Sequence, residues 1–64
     1  MHMVYENIKN ENVYILLDDH VFNSTNEQDG QRMCLYCPSD NPSKTYVRSY
    51  SEFHEKFSEI QLGE

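Results

Sequence analysis

Asn23-Ser24-Thr25-Asn26-Glu27-Gln28-Asp29-Gly30 runs into a strand ending at Tyr36, and Tyr46-Val47-Arg48 runs into Ser51-Glu52-Phe53-His54-Glu55-Lys56-Phe57. A polar turn, two short strands and a closing helical turn follow one another in this order, which is the plan of a miniature β-barrel. Asp29-Gly30 is a strong turn signal placed just ahead of a strand. Met33, Leu35 and Cys37 then alternate with Arg32, Cys34 and Tyr36, the period of a half-buried strand. Pro38 to Ser43 cannot extend a ladder and reads as a surface loop. Thr45 to Arg48 is a further strand, with Val47 expected inward and Tyr46 and Arg48 outward. Ser49 and Glu52 have capping-box spacing, with Ser51 the competing cap, and Phe53, Phe57 and Ile60 share one helical face. A short C-terminal helix is therefore expected to plug one end of the sheet.

Working outward to the N-terminus, Val4 to Ile8 reads as a first strand and Lys9-Asn10-Glu11-Asn12 as a turn, because Asn tolerates the positive φ of tight hairpins. Val13 to Phe22 is the long second strand. Val13, Ile15, Leu17 and Val21 line one of its faces and Tyr14, Leu16, His20 and Phe22 the other, so part of the strand is expected to be covered on both sides. Asp18-Asp19 interrupts it at a bend or bulge. The expected core is Val13, Ile15, Leu17, Met33, Leu35, Val47, Phe53 and Phe57. The fold class is mainly β, a small barrel of four or five strands in the manner of Src-homology-3 domains.

A chain of 64 residues has room for one domain, and chains this small bury only about 60% of their unfolded surface. With 38% apolar residues and no tryptophan, the core must rest on a few aromatics and aliphatics. The formal net charge of −6 sets eleven carboxylates against five Lys and Arg, which argues against direct nucleic-acid binding and against an anionic membrane surface. Val13 to Leu17, the longest apolar run, is far short of a bilayer span of about 20 residues. With no signal-peptide pattern, the expected location is cytoplasmic. Met1-His2-Met3 is compatible with a cloning remnant ahead of a native Met3.

The order of Tyr5 and Lys9, the strand around Val13-Tyr14-Ile15-Leu16, Asp29-Gly30 leading to Tyr36, then Tyr46-Val47-Arg48 and Glu52-Phe53 with Phe57, resembles a family of short bacterial and bacteriophage proteins. That family is a domain of unknown function with a Src-homology-3-like barrel. The resemblance implies that fold and a prokaryotic or phage origin, with action in the host cytoplasm if phage-encoded. It implies no activity. Cys34, Cys37 and the Pro38 to Ser43 loop are particular to this chain.

Reaction chemistry is not legible. Cys34-x-x-Cys37 lacks the second ligand pair of a zinc site, and strand residues three apart point to opposite faces about 10 Å apart, beyond disulfide reach. His20 beside Asp18 and Asp19, and His54 beside Glu55, lack a nucleophile and an oxyanion stabiliser. Asn23 to Asp29 lacks the spacing and the closing glutamate of a calcium loop. Neither enzyme activity nor a metal or cofactor is expected.

Recognition is the better reading. Tyr5, Tyr14, Tyr36, Tyr46 and Tyr50, with Arg32 and Arg48, are residue types enriched in binding hot spots, although at least half of the tyrosines must also fill the core. The expected partner surface is Arg32, Tyr36, Tyr46 and Arg48 with the acidic helix edge of Glu52 and Glu55. Asp18, Asp19, Glu27 and Asp29 extend that acidic character. The expected function is a phage- or prophage-type binding module that engages a host macromolecule, a protein in preference. The alternative is a sponge for an anionic nucleotide, working as a homo-oligomer because one chain is too small to surround the ligand.

Overall fold

A computed structural model describes residues 3–25 and 30–60. Its elements are β1 (Met3–Asn7), β2 (Val13–Phe22), β3 (Arg32–Pro38), β4 (Tyr46–Ser49), α1 (Tyr50–Lys56) and β5 (Phe57–Glu59). The strands form one antiparallel sheet in the order β4-β3-β2-β1-β5. With α1 linking the two edge strands, this is the mainly β, Src-homology-3-like barrel anticipated from the sequence.

Short polar side chains set the turns. Asn7 Oδ1 accepts hydrogen bonds from the N–H groups of Lys9 at 2.9 Å and Asn10 at 3.1 Å, while Asn10 Oδ1 accepts from the N–H of Asn12 at 2.9 Å. The positive φ expected at an Asn falls instead on Glu11, at 64°. The asparagines serve as acceptors for neighbouring N–H groups, and the left-handed conformation passes to the residue between them. At the base of the next loop, Gly30 has φ 87° and donates its N–H to the carbonyl of Asn23 at 2.7 Å. Asp29 and Glu27, and with them most of the calcium-loop stretch, lie outside the described residues.

β2 has the limits read from the sequence, and the Asp18-Asp19 interruption is a true irregularity. Leu16 lies opposite Tyr36, Asp18 opposite Leu35 and Val21 opposite Met33, so β2 carries unmatched residues on both sides of Asp18. Arg32 braces the spot: its Nε donates to the Asp19 carbonyl at 2.6 Å and its guanidinium meets the Asp19 carboxylate at 3.5 Å. Such extra residues bend a strand and raise its twist, which curls a small sheet around a core.

Ser49 caps α1, its Oγ accepting from the Glu52 N–H at 3.3 Å. The helix is shorter than its apolar spacing predicts. Phe57 turns extended at φ −125° and starts β5, held to β1 by Ile8 N–H to Lys56 carbonyl at 3.0 Å and Ile60 N–H to Val4 carbonyl at 2.9 Å. Phe57 and Ile60 therefore do not share a helix face with Phe53. Pairing with β1 satisfies backbone groups that another helical turn would have left at a frayed end.

The core lies on the other face of the central strands from the one expected. Tyr5, Leu16, Cys34, Tyr36, Phe53 and Phe57 are buried together, with Tyr14 and Tyr50 packed against them. Ile15, Leu17, Met33 and Leu35 are half-buried, while Val13 is 37% and Val47 56% exposed. The register explains the exchange: Tyr5 opposes Tyr14, Leu16 opposes Tyr36, and Tyr36 opposes Tyr46, so these share a face, whereas Leu35 and Val47 share the opposite one. Both faces of β2 and β3 are apolar. The larger rings are on the side that α1 covers, and they bury more area per residue than Val or Ile.

Within that core Phe53 and Phe57 stack with ring centroids 4.5 Å apart, and Tyr5 meets Phe53 edge-on at 5.0 Å. Cys34 and Cys37 are both buried free thiols, and burial pushes the Cys34 thiol up, with Asp19 adding to the effect and Arg32 opposing it.

Candidate functional site

Tyr36, in the middle of β3, is the hub of the ring cluster. Its ring centroid lies 5.6 Å from Tyr14, 5.1 Å from Phe53, 5.3 Å from Phe57 and 5.7 Å from Tyr46. The ring is buried and the hydroxyl accepts a hydrogen bond from Arg48 Nε at 3.2 Å. Arg48 is thereby drawn over the aromatic cluster, its guanidinium carbon 5.8 Å from the Phe57 centroid, and it pairs with the Glu52 carboxylate at 3.4 Å. The hydrogen bond to Tyr36 is the largest influence raising the Arg48 pKa, Tyr36 and Glu52 charges adding and burial opposing, so the side chain holds its charge.

Above these groups opens a cleft of about 270 Å³ lined by Asn7, Asn10, Tyr14, Tyr36, Tyr46, Arg48 and Phe57. Tyr46, 39% exposed, stands at its rim. The end of β1 and the turn after it supply the amides, β2, β3 and β4 supply three tyrosines and the arginine, and the start of β5 supplies the Phe57 ring. Aromatic faces, two amides and one fixed cation suit recognition of a flat or extended group, since the floor is packed before any ligand arrives.

Four of the six residues expected at the partner surface come together here or beside it. Tyr36, Tyr46 and Arg48 line the cleft, and Glu52 holds Arg48. Tyr46 and Arg48 reach the cleft by pointing to the core side of β4, which corrects the outward placement read from the sequence; Val47 is the outward residue. Arg32 is elsewhere, clamped to Asp19 and lying 4.1 Å over the Tyr50 ring. Glu55 lines a neighbouring hollow of about 300 Å³ with Asn7, Ile8, Lys9, Asn10 and Lys56.

Sequence reading missed Asn7, Asn10 and Phe57 as cleft residues. Asn10 registered only as turn chemistry and Phe57 only as core. The available signal was the hairpin itself, which folds the Asn7-Asn10 turn back beside Tyr14.

Comparisons with known proteins add no neighbour. No family model, curated protein or solved structure matches this chain. The likeness to the phage family thus rests on the sequence motifs alone. Among the described residues there is no cluster of three or more His, Cys, Asp or Glu able to hold a metal ion, and no helix long and apolar enough to cross a membrane.

Proposed function

We propose that the protein is a non-catalytic binding module of phage or prophage type that engages a host protein through the Tyr14-Tyr36-Tyr46-Arg48 cleft. The observation that carries this reading is the combination of an exposed Tyr46 with an arginine already oriented by Tyr36 and Glu52 over a packed aromatic floor. Tyrosine and arginine in such a setting contribute binding energy at a small ordering cost. The remaining acidic surface, from a net charge of −6, favours a partner with basic character around the contact.

The test begins with a photo-crosslinking side chain at position 46 in host cytoplasm, followed by purification of the captured protein and a binding titration. Tyr46→Ala and Asn10→Ala are each expected to weaken the purified pair at least about tenfold, the scale of a modest hot spot. Equal affinity for the parent and both variants would remove the cleft from the interface.

A second reading, the anionic-nucleotide sponge, is favoured by one specific arrangement. The cleft and the Lys9-Lys56 hollow share Asn7 and Asn10, so aromatic stacking surfaces and three cations lie around one turn. Calorimetry with mononucleotides and cyclic dinucleotides separates the readings: heat lost on Lys9→Ala and Lys56→Ala supports the sponge, and the absence of heat removes it.

A further inference from the structure

The two edges of the sheet are not alike. β5 is three residues long, carries Ser58 and Glu59 exposed, and so offers little to another strand. β4 is the other outermost strand, and among the described residues nothing lies beyond it. It has no lysine, proline or bulge to blunt its edge, its outward Val47 is 56% exposed, and Tyr46 is 39% exposed on its other side. Exposed apolar edges with unpaired N–H and C=O groups template the addition of a further strand. The charge on the strand, Arg48, does not guard the edge either, because Tyr36 and Glu52 of the same chain hold it.

Laid antiparallel against a second copy and centred on Val47, β4 (Tyr46-Val47-Arg48-Ser49) sets Val47 against Val47 and Tyr46 against Arg48. We propose that the β4 edge pairs with β4 of a second copy, antiparallel and centred on Val47, to give one continuous ten-stranded sheet across a two-fold axis. In that register Val47 faces Val47 of the second copy on the outer side of the sheet. Tyr46 faces Arg48 of the second copy, and Arg48 its Tyr46, on the inner side, so all three cross-strand pairs are favourable: one aliphatic pair and two in which a Tyr46 ring meets a guanidinium that Tyr36 and Glu52 already hold in place. Leu35, which opposes Val47 within the chain, extends the outer apolar strip on each side of the axis. The two clefts then meet at the axis and form one composite groove. This inference stands apart from the function proposed above, since it needs no ligand.

A four-residue edge belongs to the small, weak class of interfaces. Each copy also brings a net charge of −6, so association is expected to strengthen as salt screens the repulsion. Sedimentation equilibrium of the full chain from about 10 μM to about 1 mM, at low and high salt, covers the relevant affinities. The expected result is a concentration-dependent species of twice the 7.6 kDa chain mass. Val47→Lys is expected to weaken it at least about tenfold while leaving the circular-dichroism spectrum and Tm in place. A register readout is independent of that variant: Val47→Cys is expected to give an oxidised dimer that reductant reverses, because directly opposed strand residues fall within disulfide reach. Ser43→Cys, on the exposed loop before β4, serves as the control and is expected to stay monomeric.

Three outcomes overturn the proposal. One is a monomer throughout the concentration range. Another is a dimer indifferent to Val47→Lys, or one that Ser43→Cys crosslinks as readily as Val47→Cys. The third is protection of the Tyr46, Val47 and Arg48 amides from hydrogen exchange only when a different protein is bound, which would assign the edge to that protein.

Discussion

The two faces of the central sheet are both apolar and meet opposite fates. On the inner face Leu16, Cys34 and Tyr36 are sealed under Phe53 and Phe57, whereas on the outer face Cys37 is buried at the end of β3 but Ile15, Met33 and Leu35 are half-buried and Val47 stands in solvent. What separates them is a single covering element. α1 places Phe53 against the tyrosine side, and a seven-residue helix has no second apolar face with which to serve the other. In a chain of 64 residues, where a side chain points matters less to its burial than whether anything lies above it.

This contrast breaks most readily at Phe53, which is fully buried and in ring contact with Tyr5, Tyr36 and Phe57. Phe53→Ala is expected to destabilise by about 3–5 kcal/mol, enough to unfold a domain this small at ambient temperature. A denaturant midpoint close to that of the parent would show that the ring cluster is not the core. Next in size is a paired comparison across the sheet. Leu16→Ala, on the inner face, should lose about 3 kcal/mol, and Leu35→Ala, on the outer face, about half as much. Equal losses would mean that the outer face is covered as well, as a second copy or a bound partner would cover it.

Smaller effects sharpen the boundary between core and cleft. Arg48→Ala removes the hydrogen bond to Tyr36 and the ion pair to Glu52 at a half-exposed site, and should cost about 1 kcal/mol. Arg48→Lys restores a charge but not the Nε geometry, so its melting curve should resemble that of the alanine variant; full recovery would reduce the site to a charge pair. Ser49→Ala removes the α1 cap and should also cost about 1 kcal/mol, read as a lower urea midpoint with an unchanged slope. At the lower end, Val47→Thr keeps β propensity on an exposed position and should shift stability by less than about 0.5 kcal/mol. A larger loss in dilute protein would place Val47 in intramolecular packing.

Strands β1 to β4, the Ser49 cap and the Asp18-Asp19 irregularity were legible because each has a local cause: alternation, a side-chain acceptor three residues ahead of a donor, and two adjacent carboxylates in an apolar run. The choice of face was not. Val13, Ile15 and Leu17 compete with Tyr14 and Leu16 on equal local terms, and the position of α1, a tertiary fact, decides between them. β5 escaped for a related reason. Phe53, Phe57 and Ile60 satisfy the helical period, yet β1 offers Phe57 to Glu59 a ladder, and the pairing overrides the pattern. The cleft was half legible: Tyr46 and Arg48 were chosen for their chemistry while their direction was reversed, and Asn7 and Asn10 entered through the hairpin fold rather than through any motif.

The clamp of Arg32 on Asp19 bears on the fidelity of folding. A slip of β3 along β2 by two residues keeps every side chain on its own face, so burial alone penalises it weakly. The unmatched residues around Asp18 act like the tooth of a key, since they fit the partner strand at one position. Arg32 reads that position from the opposite strand, through a backbone carbonyl that points its way when the bulge is seated. The pair thus proofreads alignment in a sheet whose two similar faces would otherwise tolerate a misthreaded strand.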